Sequence, residues 1–212
     1  MVVADLRDRS QVQDLVDGAV RETGRLDVMV NNAGLSHPAS IVEGDPEEWR
    51  EMLEVNVLSL LVGCQAAVRA MRACGAEGHI VNVSSVAAQR RDSGVYGATK
   101  HAVNTISATL RGELEEDSIR VVNVMPGAIA TNFARNFDPE FLAGFARLGG
   151  VDHEPTRGER LPEEVIEAIQ PKLKQLLGAP EDVARAVLYA VTQPIEVNVA
   201  EIVVRPPKQI SL

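Results

Sequence analysis

The stretch "LDVMVNNAG", residues 26–34, sets a short apolar run directly before two asparagines, an alanine and a glycine. The run Leu26–Val30 has the continuous apolar character of a strand covered by helices on both faces. Two later runs end in the same way. A strand predicted from His79 leads into Asn-Val-Ser-Ser at 82–85, and one from Ile119 leads into Pro-Gly-Ala-Ile-Ala-Thr at 126–131. The sequence therefore predicts three strands with polar or glycine-bearing ends.

Short β-branched runs alternate with stretches of helical period along the chain, which is typical of β-α units stacked on a parallel sheet. The predicted strands are Val2–Ala4, Leu26–Val30, His79–Val83, Ile119–Met125 and Val199–Arg205. The predicted helices are 9–23, 46–73, 96–115 and 180–192. We expect one α/β domain spanning 1–212, with a Rossmann-like, doubly wound parallel sheet. Residues 134–178 carry scattered glycines and prolines, and we expect them to form a lid over a substrate.

Composition narrows the classes of partner. The net charge of −9 argues against a nucleic-acid backbone or an anionic membrane surface, because both require clustered basic residues. No apolar run reaches about 18 residues, and the first residues lack the apolar core of a signal peptide. The two cysteines, Cys64 and Cys74, have no metal-ligand spacing. We expect a cytoplasmic protein that acts on a small molecule, with no metal, no membrane and no nucleic acid.

The three strand ends are expected to meet. In an open parallel sheet, ligands bind beyond the carboxyl ends of the strands. Asparagine, glycine, serine and proline are also the common turn formers, so one such ending would indicate only a turn. Three endings at the same edge of one sheet favour a ligand site.

A second stretch, "SGVYGATKHAV" at 93–103, places Tyr96 and Lys100 one helical turn apart. Alone, this pair is most often a solvated helix contact. A nearby ammonium group lowers the pKa of a tyrosine, which would bring Tyr96 towards general acid–base work. Ser85 could donate a hydrogen bond to a substrate carbonyl. Asn56 falls on the apolar stripe of its helix, where a buried amide is either bonded to backbone or holds a water of a proton relay.

Taken in order, these motifs resemble the short-chain dehydrogenase/reductase family. The matching motifs are Asn32-Ala33-Gly34, Asn56, Ser84-Ser85, Tyr96-x-x-x-Lys100, and Pro126-Gly127 with Thr131. The closing stretch 180–206 is similar to the branch that includes NADP-dependent 3-hydroxy acid dehydrogenases of the serine type.

The resemblance implies a role for each catalytic position. Tyr96 would be the general acid in carbonyl reduction and the base in alcohol oxidation. Lys100 would lower the pKa of Tyr96 and bind the nicotinamide ribose. Ser85, preferred to Ser84 because it stands last on its strand, would orient the carbonyl. Asn56 would hold the water that links Lys100 to solvent.

The resemblance also implies a cofactor, NADP or NAD, with NADP slightly favoured. Asp5, with Leu6 beside it, would contact the adenine. The adenosine side would be lined by Asn32, Ala33 and Gly34. The nicotinamide and its phosphate would be bordered by Pro126, Gly127, Ile129 and Thr131. Family members commonly associate through helices corresponding to 46–73 and 96–115, so the resemblance implies a homodimer or homotetramer.

Two departures from the family pattern stand out. Ser85 and Tyr96 are eleven positions apart, slightly fewer than usual, so a tighter loop is expected between them. The family also opens with a strand and a turn of the form T-G-x-x-x-G-x-G, which seats the pyrophosphate. No G-x-G occurs in these 212 residues.

The sequence is therefore expected to be N-terminally truncated, starting at the family's third strand without two β-α units, roughly 50–60 residues. The strand Leu26–Val30 would then be an uncovered apolar edge. Either Val2–Ala4 pairs directly with it, or the true polypeptide is longer, which we prefer.

Two functions follow. The first is an oxidoreductase that transfers a hydride between NAD(P) and a small alcohol or ketone, including a hydroxy acid. The alternative is a catalytically silent remnant with weak or no cofactor binding, which acts at most as an oligomerisation partner. All four catalytic positions, Asn56, Ser85, Tyr96 and Lys100, are intact, which favours the first.

Overall fold

Four parallel strands form one sheet within residues 1–208, the part of the chain that this computed structural model describes. The sheet order follows the chain order, β1 Val28–Asn31, β2 Gly78–Val83, β3 Ile119–Pro126 and β4 Glu201–Val204. The α/β class and the parallel sheet are thus confirmed. The last four residues of the predicted 1–212 domain lie outside the described residues.

Helices connect the strands, and three of the four predicted helices begin at the predicted residue, Arg9, Pro46 and Pro180. Asp8 caps the first helix by accepting a hydrogen bond from the backbone N–H of Ser10, and Asp45 caps the second, ahead of Pro46. The helices are α1 Arg9–Thr23, α2 Pro46–Leu53, α3 Ser59–Cys74, α4 Gly94–Glu113, α5 Pro139–Leu148, α6 Glu163–Ile169 and α7 Pro180–Val191. A π-helical turn at Glu54–Leu58 joins α2 to α3, and 3₁₀ turns form at Val86–Gln89 and Asn132–Asn136.

The sheet has a hydrophobic core on each face. Ile80 and Val121 point to one side, where α3 and α4 cover them. Val81 and Val122 point to the other side, where Ala190 of α7 covers them. Every residue of β2 is buried, as expected of a central parallel strand. The two faces explain why the apolar runs of β2 and β3 do not alternate with polar residues.

The predicted strand Val2–Ala4 is not formed. Residues 1–5 have no regular secondary structure, and Val2 and Val3 are largely exposed. A strand needs a neighbour to hydrogen-bond with, and within residues 1–208 the only strand paired with β1 is β2. The prediction that Val2–Ala4 could pair directly with β1 is therefore wrong, whereas the expected exposure of β1 is seen at Val28 and Val30.

The helical stretch Pro46–Cys74 is long and apolar enough, by length and composition, to cross a membrane. Half of its most apolar window is packed inside the fold, against α1 and the first two strands. A core helix passes the same test of length and composition, and the packing accounts for its apolar residues here.

The expected lid, 134–178, contains α5 and α6. Ala146, Val165, Ile169 and Leu173 form a small hydrophobic cluster of their own. The segment returns to the sheet where Ile129 forms an isolated parallel bridge with Gly178. This small cluster lies next to the strand ends rather than inside the main core.

Candidate active site

A cavity of about 1870 Å³ lies at the carboxyl ends of the strands. It collects most of the side chains that the sequence singles out. Those bordering it are Asn32, Ala33, Gly34, Ser85, Tyr96, Lys100, Pro126, Gly127, Ile129 and Thr131. The three strand ends therefore do meet at one edge, as the sequence predicts.

Tyr96 and Lys100 lie on the first turns of α4 and face this cavity. The Nζ of Lys100 sits 5.9 Å from the centroid of the Tyr96 ring. Lys100 is 3% exposed, and its Nζ donates a hydrogen bond of 2.9 Å to the carbonyl oxygen of Val83, the last residue of β2. The strand end thus fixes the position of the ammonium group below the tyrosine.

The pKa of Tyr96 moves in the direction opposite to the one predicted. Burial raises the pKa of this phenol to about 12, and a side-chain hydrogen bond with Ser85 acts against that rise. Burial also lowers the pKa of Lys100 to about 8. Desolvation disfavours both charged forms, and it is the largest cause of each shift. The i, i+4 spacing predicts that Tyr96 and Lys100 are neighbours, but it does not predict that both side chains are buried.

The two serines after β2 have different surroundings. Ser84 is buried, and its hydroxyl lies 3.1 Å from the carbonyl oxygen of Lys100 and 2.6 Å from the Oδ1 of Asn104. Ser85 borders the cavity, and its Oγ accepts a hydrogen bond of 3.1 Å from the backbone N–H of Ala87. Ser84 thus joins the strand end to α4, and Ser85 has its hydroxyl at the cavity wall beside Tyr96.

Asn56 lies behind the cavity wall, in the π-helical turn, and is 1% exposed. Its Oδ1 accepts from the backbone N–H of Leu35 at 2.9 Å, and its Nδ2 donates to the carbonyl oxygen of Leu35 at 2.9 Å and to Thr99 Oγ1 at 3.1 Å. The widened turn carries this amide inward, as π-bulges often do at functional sites. Both the turn and Thr99 are absent from the sequence prediction.

Gly34 separates Asn56 from Lys100. A Cβ at this position would lie 3.3 Å from Asn56 Oδ1 and 3.4 Å from Lys100 Nζ. Any side chain here would therefore fill the space between the amide and the ammonium. The glycine keeps that space open.

A row of asparagines across the sheet, which we call the asparagine ladder, was not predicted from the sequence. Asn31, Asn82 and Asn123 are in register across β1, β2 and β3. The Nδ2 of Asn31 donates to Asn82 Oδ1 at 2.8 Å, and the Nδ2 of Asn123 donates to Asn104 Oδ1 at 2.9 Å. The signal was available, because an asparagine follows a valine-rich run in each of the three strands. The ladder thus joins α4 to the sheet through Asn123 and Asn104, and its central member, Asn82, lies two residues before Ser84.

His37, to which the sequence analysis gives no role, also borders the cavity. Its Nε2 lies 2.8 Å from a carboxylate oxygen of Glu51, and its Nδ1 lies 3.6 Å from Glu48. Glu48 in turn pairs with Arg157 of the lid segment at 2.9 Å. These contacts join the lid segment to α2, and sequence spacing relates only Glu48 and Glu51, which are three residues apart on that helix.

Asp5 and Leu6 are not among the residues that border the cavity. The Asp5 carboxylate pairs with Arg7 at 2.8 Å, and that contact lowers its pKa to about 2. The structure thus gathers the predicted nicotinamide and adenosine-side positions but leaves these two residues apart. Among residues 1–208, no group of three or more histidine, cysteine, aspartate or glutamate side chains is placed to hold a metal ion.

A family model described as "short chain dehydrogenase" matches residues 1–140. The chain belongs to the short-chain dehydrogenase family. This family assignment covers the region that contains Asn56, Ser85, Tyr96 and Lys100.

Individual relatives extend the likeness over the rest of the chain. An uncharacterised oxidoreductase of Staphylococcus aureus is 31% identical over 208 residues, which cover 97% of this chain and 75% of the relative. Dehydrogenase/reductase SDR family member 11 of Bos taurus is 30% identical, over 98% of this chain and 75% of its own length. The chain thus spans about three-quarters of the length of each of these two relatives.

A solved structure gives the same result for the fold. The closed form of a serine dehydrogenase complexed with NADP⁺ superposes with a TM-score of 0.72 and 27% identity, over 94% of this chain and 73% of the other. The Rossmann-like architecture expected for this chain is therefore confirmed by an independent comparison.

Proposed function

We propose that this protein is an NAD(P)-dependent oxidoreductase that interconverts an alcohol and a carbonyl compound. The observation that carries the proposal is the meeting of Ser85, Tyr96 and Lys100 at one cavity wall, with Asn56 directly behind it. The family supports the reaction class, and the serine dehydrogenase with NADP⁺ supports the cofactor. NADP is slightly preferred to NAD on that ground.

In the reducing direction, Tyr96 would supply the proton. Its raised pKa of about 12 keeps the phenol protonated at neutral pH, which is the form that a general acid requires. The substrate carbonyl oxygen would accept hydrogen bonds from the hydroxyls of Tyr96 and Ser85. As negative charge develops on that oxygen, the Tyr96 proton transfers to it and leaves a phenolate. The ammonium of Lys100, 5.9 Å from the ring, would stabilise that phenolate.

Lys100 and Asn56 would return the proton. Both amide hydrogens of Asn56 are already donated, to Leu35 and Thr99, and its Oδ1 accepts one hydrogen bond from Leu35. An amide oxygen has two lone pairs, so one remains for a water molecule. Gly34 leaves room between this oxygen and Lys100 Nζ. A water molecule there would hydrogen-bond both Asn56 Oδ1 and Lys100 Nζ, and it would be the first member of the relay that returns a proton to the lysine.

The residues present fit the nicotinamide half of the cofactor. When bound, the cofactor supplies or accepts the hydride. Lys100 would hydrogen-bond the nicotinamide ribose, and Pro126, Gly127, Ile129 and Thr131 would border the nicotinamide. The glycine-rich turn that binds the pyrophosphate is not in this sequence, so we expect the described chain to bind NADPH weakly.

One observation favours the alternative of a silent remnant. Val28 and Val30 of β1 are about two-fifths exposed, so the side of the sheet on which the adenosine half would rest is uncovered. If this uncovered side prevents the adenosine half from binding, the protein would bind NADPH weakly or not at all, and it would have no oxidoreductase activity.

Titration of NADPH by calorimetry, followed by its oxidation in the presence of a carbonyl compound, separates the two functions. We expect weak binding and carbonyl-dependent oxidation. The Lys100→Met change should lower the rate at least about tenfold, because it removes the charge that stabilises the phenolate. Lys174→Met is the matched control, since Lys174 is exposed and lies away from the cavity. Equal rates in the two variants, or no NADPH binding at any concentration, would support the remnant instead.

Self-association is also proposed. Leu53, Leu58 and Leu61 are 51%, 41% and 42% exposed along the helical stretch Pro46–Cys74. Exposed leucines on one long helix support the expected homodimer or homotetramer. Sedimentation of Leu58→Asp against the unaltered chain tests it, and the variant should sediment as a smaller species.

A further inference from the structure

All four phenylalanines of the chain border the cavity. They are Phe133, Phe137, Phe141 and Phe145, spaced four residues apart. Phe141 and Phe145 lie on one face of α5, with ring centroids 5.0 Å apart, and Phe137 lies 6.2 Å from Phe141. A chain with only 3% aromatic residues thus places all its phenylalanines around one cavity. We call these four residues the phenylalanine wall.

Core packing does not account for the whole wall. The buried residues of α5 are Leu142, Ala143 and Ala146, whereas Phe141 is 37% exposed. Phe145 does pack against the small cluster of the lid segment. A large apolar side chain left in contact with water beside a cavity is typical of a surface that an apolar ligand covers.

The wall begins at the reacting group. The ring of Phe133 lies 5.4 Å from the ring of Tyr96, at a tilt of 56°. A carbonyl group hydrogen-bonded to Tyr96 would therefore have Phe133 beside its substituent. Other apolar residues also line the cavity, among them Ile166 and Leu177 from the lid segment and Val187 from α7.

We infer, on the basis of the proposed function, that the substrate is an alcohol or ketone with an aromatic or bulky apolar substituent, which lies against the phenylalanine wall. This narrows the small alcohol, ketone or hydroxy acid expected from the sequence. Reduction would join a hydride, supplied by the bound cofactor, to the carbonyl carbon and the Tyr96 proton to the carbonyl oxygen, giving the corresponding secondary alcohol and the oxidised cofactor.

A small hydroxy acid is the competing substrate. Arginine side chains also border the cavity, among them Arg135 and Arg160 of the lid segment. Arg135 donates to the carbonyl oxygen of Asn132 at 3.3 Å, and Arg160 is exposed. Arg135 is thus held by the backbone of its own turn and Arg160 is open to solvent, whereas Phe133 is in ring contact with Tyr96.

Saturation-transfer NMR without cofactor, using acetophenone and 3-hydroxypropanoate as separate probes, tests the inference. We expect acetophenone to bind and Phe141→Ala to weaken its binding about tenfold. Leu148→Ala is the matched control, because Leu148 is 67% exposed on the same helix and does not border the cavity. Binding of acetophenone that is unchanged by Phe141→Ala, or binding of 3-hydroxypropanoate alone, would overturn the inference.

The same variants, assayed with cofactor, separate this inference from the proposed function. Acetophenone binding that depends on Phe141, with no oxidation of NADPH, would overturn the proposed function and leave the apolar ligand class supported. Oxidation of 3-hydroxypropanoate with NADP⁺ at a rate unaffected by Phe141→Ala would support the proposed function and overturn the inference.

Discussion

Val30 and Val81 are directly paired neighbours in the sheet, yet they have very different surroundings. Val30 of β1 is 41% exposed, and Val81 of β2 has no exposed surface. Paired residues of parallel strands point to the same face, so both valines point to the side of α7. Only Val81 is covered by that helix.

The contrast divides the site into two parts. The covered part, around β2 and β3, holds Ser85 and supports Lys100 through the carbonyl of Val83. The uncovered part, along β1, leads to Asn32 and Ala33, where the adenosine side is expected. The groups that we propose for proton transfer therefore lie in the covered part, and the surface that we propose for the outer half of the cofactor is open to solvent.

The largest expected effect concerns the lysine buried in the covered part. The pKa of Lys100 is lowered from 10.5 to about 8, which corresponds to about 3 kcal/mol. Between these two pKa values the unfolded chain binds more protons than the folded one. The free energy of unfolding therefore increases as the pH rises from about 8 towards 10.5. Lys100→Met lacks this gain.

Denaturant unfolding of both proteins from pH 7 to pH 10 measures the difference. We expect the free energy of unfolding of the unaltered chain to rise relative to that of Lys100→Met as the pH rises. The range stops at pH 10 because the raised pKa of Tyr96 acts in the opposite direction above it. Parallel curves for the two proteins would show that Lys100 is not buried as described.

The valine pair gives the next largest effect. Val81→Ala should lower the free energy of unfolding by about 2–3 kcal/mol, because it removes two buried methyl groups and leaves a cavity. Val30→Ala should cost less than about 1 kcal/mol, since its side chain is partly in water. Equal losses in chemical denaturation would mean that β1 is covered, for instance by a second copy of the chain, and the contrast would disappear.

The two serines after β2 sharpen the contrast within the covered part. Ser84→Ala should lower the free energy of unfolding by about 1–2 kcal/mol, because it removes one buried hydrogen-bond partner each from Asn104 and from the Lys100 carbonyl. Ser85→Ala should cost less stability but lower carbonyl turnover about a hundredfold. Thermal unfolding and initial rates, measured on the same preparations, decide this. A greater loss of turnover in Ser84→Ala would reverse the roles given to the serines.

Local spacing predicted much of this site. The i, i+4 relation between Tyr96 and Lys100 needs only a helix, and the three strand ends need only a parallel sheet, so both could be predicted from the sequence. The π-helical turn at Asn56 could not, because no residue type signals it. The direction of the Tyr96 pKa shift depends on burial, and the contact between Phe133 and Tyr96 depends on the path of the chain after β3. Neither can be predicted from sequence spacing. Val2–Ala4 has strand propensity but no partner strand, and propensity alone does not form a ladder.

The two tyrosines of the chain allow the most direct test of the central claim, that Tyr96 is the proton donor of a carbonyl reductase. Tyr189 is 57% exposed on α7 and serves as the matched control. Initial rates of carbonyl-dependent NADPH oxidation should fall about 10²–10⁴-fold in Tyr96→Phe and stay unchanged in Tyr189→Phe. Equal rates in Tyr96→Phe and the unaltered chain would contradict the account.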